Sequence, residues 1–159
     1  MAEILGALVV GLIGTLVGGG VAWRIEVRRR RAEVTIALFG EFNTPAMLRT
    51  RHTAADKAEA HPDLDFAELR RETGRIGMQE IWAVQSFYQK LWLLTKHRQV
   101  EPKLVPHLFG DRFAWWVHNH YAKKLFTLDT SQAHDVSRLW AWMSGAAPAD
   151  QRQRWGENT

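Results

Sequence analysis

Residues 4–33 read ILGALVVGLIGTLVGGGVAWRIEVRRRRAE, and the reading of this stretch decides the fold. Ile4 to Trp23 is a run of 20 residues without a charge, and Arg24, Arg28, Arg29, Arg30 and Arg31 follow it. A helix of that length rises about 30 Å, the thickness of a bilayer's hydrocarbon core. A soluble helix so long normally shows a polar face, and only Thr15 and glycines interrupt this one. The pattern predicts a transmembrane helix. A cleavable signal peptide would place its positive charge before the apolar run, whereas Glu3 stands there. By the positive-inside rule the N-terminus is then outside and the arginine side cytoplasmic. The expected location is therefore the bacterial inner membrane, with a single pass. Trp23 and the five arginines suit a membrane interface, which makes the lipid bilayer the first expected partner.

The glycines of the run fall in a pattern of their own. Gly11, Gly14 and Gly18 share one helical face, and residues 14–18 form a GxxxG. Small residues let helix backbones approach closely in lipid. Gly11, Gly14, Thr15 and Gly18 are thus the expected oligomer-facing or pore-facing set, and a second copy of the chain is the second expected partner.

The net charge of +4 has a location too. Setting aside those five arginines and Glu26 leaves 16 of the 21 basic residues and 16 of the 17 acidic ones. The rest of the chain is formally neutral, so no DNA-binding surface is expected. Without cysteines there are no disulfides, thiolate metal sites or cysteine nucleophiles. The organisation expected is a membrane helix with a basic edge over 1–31, a helical domain over 32–145 and a polar tail over 146–159.

Within 32–145 the signals are helical. The first helix can run to Phe42, because "RAEVTIALFGEF" has no breaker stronger than Gly40. Thr44-Pro45 reads as an N-cap and first helical residue, opening a helix to about Ala60. Asp65 caps a short helix ending at Gly74. Ile76 to Lys96 is the most apolar soluble segment and should be central. Pro102 and Gly110 bracket a further short helix, Asp111 caps the next, and Thr130 or Ser131 caps one that stops at Gly145. No alternating β-branched run occurs. The expected fold is all-α, an N-terminal transmembrane helix continuing into a cytoplasmic helical bundle. Trp115 and Trp116 cannot both face one core, so one of them is expected at a neighbouring surface.

Chemistry is sparse. No Walker loop, dinucleotide fingerprint, nucleophile elbow or HExxH is present. His118 and His120 lie about 200° apart on a helix and cannot share an ion. The pairs His52/Asp56 and His107/Asp111 lack an evident third ligand, so no metal and no cofactor is expected. No catalytic group is assigned. The sharpest candidates are Arg112 and His118 of "RFAWWVH", an arginine and histidine at the spacing of HEPN ribonucleases. About two such spacings are expected by chance in this composition, so the motif needs structural context.

Three stretches carry a wider resemblance: "EFNTPAMLRTR" (41–51), "VQSFYQKLWLL" (84–94) and "LVPHLFGDRFAWWV" (104–117). They resemble a family of small bacterial proteins with one membrane helix and an all-helical module of unassigned function. Where that family usually has Asn-Phe-aromatic-Glu, this chain has Ser86-Phe87-Tyr88-Gln89. The layout is also similar to the membrane-anchored accessory proteins of RNA-targeting type VI-B CRISPR systems. That likeness implies a homo-oligomeric pore in antiphage defence, with a defence protein or RNA as a further partner. The alternatives are a tethered HEPN-like ribonuclease using Arg112 and His118, and a non-catalytic scaffold.

Overall fold

The computed structural model describes the backbone of residues 2–157 and the side chains of residues 20–156. Among the described residues it is all-helical, without a strand. The first helix, α1 (Ala2–Phe42), is one rod of 41 residues, ending where the sequence loses its helical signal.

The N-terminal transmembrane helix and the inner-membrane location need correction. Among the described residues, no helix is long and apolar enough to cross a membrane. The described side chains begin at Gly20, and from Trp23 onward α1 is charged: Arg29 and Arg30 pair with Glu26 at 3.2 and 3.0 Å and Arg29 reaches Glu33 at 3.6 Å. The expected oligomer-facing set, Gly11, Gly14, Thr15 and Gly18, lies outside the described side chains. Of the expected interface set, Trp23 is 68% exposed, Arg24, Arg28, Arg29 and Arg30 are exposed, and Arg31 is half-buried.

Only the last two turns of α1 enter the bundle. Thr35, Leu38 and Phe42 are buried at helical spacing. Thr35 Oγ1 donates to the Arg31 carbonyl at 2.7 Å and accepts from Glu101 N at 2.9 Å, tying the rod to the loop that carries Glu101. Phe42 stacks on Phe87 with centroids 4.6 Å apart.

The next elements follow their caps. α2 (Pro45–Ala60) opens with the Thr44 hydroxyl accepting from Met47 N at 3.2 Å. α3 (Phe66–Gly77) opens with a capping box, Asp65 accepting from Glu68 N and Glu68 from Asp65 N. Gly74 sits inside α3 at φ 69°, the left-handed region, so the regular turns stop where the sequence suggests. α4 (Gln79–Lys96) is the central helix. Its Ile81, Val84, Tyr88 and Leu91 are buried, facing α2 and α7 (Ser131–Ala146). Ala54 and Ala58 let α2 come close, and Val136, Leu139 and Met143 give α7 its apolar stripe. Thr130 is the N-cap of α7. Gln89 donates to Asp135 on α7 at 3.0 Å, where a glutamate would repel it.

Two expectations fail at Gly110. α5 (Leu104–Trp116) passes through Gly110 and Asp111 without a break and continues into a π-helical turn (Val117–Tyr121) and the short α6 (Ala122–Lys124). The expected polar tail instead forms α8 (Ala149–Glu157), with Gln151 and Trp155 buried. The two failures share one cause. A methyl at Gly110 would lie 3.0 Å from Gln151 Nε2 and closer still to the Trp155 indole. Asp111 accepts from Trp155 Nε1 at 2.8 Å and from Gln151 Nε2 at 3.3 Å. Glycine and aspartate together form the seat of α8, and neither stops a helix.

Candidate functional site

α5 turns Phe113, Trp116 and Val117 into the core. Tyr88 stacks on Phe113 at 4.3 Å, and Trp116 stacks on Tyr121 at 5.4 Å. That burial leaves Arg112, Trp115 and Asn119 on the outer stripe, three and four residues apart. Trp115 is 40% exposed while Trp116 is buried, so the adjacent tryptophans divide as their spacing requires.

Arg112 and His118 line the same cleft, of about 550 Å³, together with Asp111, Trp115, Asn119 and Trp155. A second hollow, of about 250 Å³, adjoins it through Arg112 and Trp115 and is lined by Arg51, His52, Asp56 and Glu59 of α2. The structure thus unites the two candidate residues and adds Arg51 to them. Sequence reasoning had no route to Arg51, because nothing in its spacing links it to α5.

Charge is the distinctive property of this surface. Arg112 makes no hydrogen bond or ion pair among the described residues. The Arg51 guanidinium lies 3.8 Å from the centre of the Phe42 ring, a cation–π contact, and among the described residues no carboxylate pairs with it. Burial pushes the Arg51 pKa down, the nearby Tyr88 pushes it up, and the positive charge of Arg112 adds to the depression. Two uncompensated guanidiniums therefore lie within electrostatic reach of each other. The Tyr88 hydroxyl between α2 and α5 is buried without a partner, and burial pushes its pKa well up, so it stays protonated.

The two histidines have different surroundings. His118 meets Trp140 edge-on at 5.5 Å, and its Nε2 is buried without a partner. His120 is buried between Trp115 and Trp116, 5.1 and 5.0 Å away. Burial, and then the charge of Lys124, hold the His120 pKa down to about 4, so it is neutral at pH 7. Lys124 is itself buried and donates to the carbonyls of His61, Pro62 and Leu64, pinning the loop between α2 and α3. The π-helical turn carries both histidines, and Asn119 Nδ2 donates to the Trp115 carbonyl at 2.8 Å. Such turns relax the helical ladder and recur at functional sites.

Among the described residues, no three His, Asp or Glu side chains gather as a metal site would need. Asp111 of the His107/Asp111 pair is taken by α8. No family model matches the chain, and neither a curated protein nor a solved structure matches it either.

Proposed function

We propose that this protein binds single-stranded RNA along the Arg51–Arg112 surface and, as a homo-oligomer, cleaves it without a metal through Arg112 and His118. The observation that supports this is the pair of guanidiniums that make no ion pair among the described residues, beside an exposed indole and a histidine. Like charges held together raise the free energy of the empty site, and a phosphodiester lowers it by bridging them. Trp115 offers a face on which an unpaired base can stack.

In the reaction, a ribose 2′-oxygen attacks the adjacent phosphorus, and the bond from phosphorus to the 5′-oxygen breaks. Arg112 stabilises the charge on the non-bridging oxygens. One His118 takes the 2′-hydroxyl proton, and His118 of a second copy returns a proton to the leaving 5′-oxygen. The products are a 2′,3′-cyclic phosphate and a 5′-hydroxyl. A pore would need a membrane-crossing helix, which the described residues do not supply.

One observation favours a second reading, a scaffold that binds RNA without cutting it. His118 Nε2 is buried beside Trp140, which obstructs proton transfer. A 5′-labelled RNA oligomer incubated with protein and a chelator separates the two. Cleavage of RNA but not DNA, lost in Arg112→Ala and His118→Ala, supports the enzyme. Binding without cleavage leaves the scaffold, and neither binding nor cleavage defeats both.

A further inference from the structure

A separate cleft of about 560 Å³ opens between α3, α4, the 125–130 connection and the first turn of α7, sharing no residue with the Arg112 surface. Its walls are Phe66, Trp82, Leu125 and Leu128, and Arg70 and Arg71 of α3 stand exposed at its edge. The Arg70 guanidinium lies 5.6 Å from the Trp82 ring centre. Gln85 also lines the cleft. It is 2% exposed, and its Nε2 has no hydrogen-bond partner among the described residues. Buried amide donors are almost always satisfied, so this one calls for an explanation.

The explanation has to satisfy all three features at once. A free phosphate would meet the arginines and leave the apolar walls and the amide unused. A fatty acid would fill the walls with hydrocarbon and strand the amide. A molecule with a flat aromatic body, an acceptor on its buried edge and an anionic group at the mouth fits all three. Nucleobases carry ring-nitrogen and carbonyl acceptors, and their faces stack on indole. The volume lies within the range of small-molecule sites.

We infer that this cleft binds a nucleoside monophosphate, with its base against Trp82, a base acceptor on the Gln85 amide and its phosphate between Arg70 and Arg71. The inference does not rest on RNA binding at Arg112.

Isothermal titration of the full chain with AMP, GMP, CMP and UMP tests it, with adenosine and inorganic phosphate as controls. At least one nucleotide should bind about tenfold or more tightly than either control, a gap of one decade in Kd. Gln85→Leu should erase about a decade of that affinity without lowering Tm, because it removes a buried unsatisfied amide. Arg70→Ala with Arg71→Ala should do the same from the exposed edge, which keeps the test valid should the Gln85 variant misfold. Failure of all four nucleotides to saturate overturns the inference. Phosphate binding as tightly as the nucleotide, or full affinity in both variants, overturns it too. RNA binding by the Arg51–Arg112 surface should be unchanged in these variants, so the two readings fail independently.

Discussion

Two adjacent polar residues of α5 line one cleft, and the fold treats them oppositely. The Asp111 carboxylate is engaged by Trp155 and Gln151, and Gly110 admits their close approach. Arg112 has no partner among the described residues and lies within electrostatic reach of a second cation, Arg51. The difference teaches which residues the architecture needs and which it leaves free for a ligand. Substitutions at the seat should therefore register as stability, and substitution of Arg112 as binding.

Trp155→Ala should give the largest effect. It removes a buried indole and its hydrogen bond to Asp111, and large-to-small changes of this kind cost about 3–5 kcal/mol. Because α8 is seated through this contact, the loss should first show as lost hydrogen-exchange protection over residues 149–157. Protection unchanged there would mean that α8 does not depend on its seat.

His120 comes next, and its effect is set by pH. Its folded pKa, about 4, lies below the usual histidine value near 6.5, so between the two the unfolded chain binds more protons. Stability is therefore full above about pH 6.5 and falls as pH drops towards 4, by up to roughly 3 kcal/mol. Denaturant titrations at pH 7 and pH 4.5 should show the loss, and His120→Phe should flatten it. An equal slope in both proteins would assign the acid sensitivity to another group.

Gly110→Ala should be milder. Overpacking against Trp155 costs about 1–3 kcal/mol, and alanine returns about 1 kcal/mol of helix propensity, so a net loss of about 1 kcal/mol is expected. Gly110→Ala combined with Trp155→Ala should recover the propensity gain, because the clash has gone. Failure to recover it would show that glycine serves another purpose here.

This position also explains what the sequence could and could not say. Caps are local, so Thr44-Pro45, the Asp65 box and Thr130 were all legible from a few neighbouring residues. Gly110-Asp111 carries the same local signal as a helix stop followed by a cap. It is reinterpreted only by Trp155, some 45 residues later, whose approach no local pattern encodes. The apolar run of residues 4–23 and the charged residues after it belong to one helix, α1, a continuity that the run alone does not encode. For the candidate site, Arg112 and His118 were visible as a spacing. Arg51 was not, since only the packing of α2 beside α5 brings it near.

The smallest effect is the most direct test of the contrast. Arg112→Ala removes a side chain that makes no bond and lifts a like charge from Arg51. Folded stability should stay the same or rise by a few tenths of a kcal/mol, as for substitutions that relieve strain held for function. Raising salt should stabilise the native protein slightly more than the variant, because screening does for Arg51 what the substitution does. RNA affinity should fall in the same variant, by about tenfold for a lost charge-assisted contact. A protein that becomes a little more stable and a much poorer binder at one position has that residue committed to a ligand. If Arg112→Ala instead lowers Tm by several degrees, the guanidinium belongs to the fold, and the two neighbours on α5 are not so different after all.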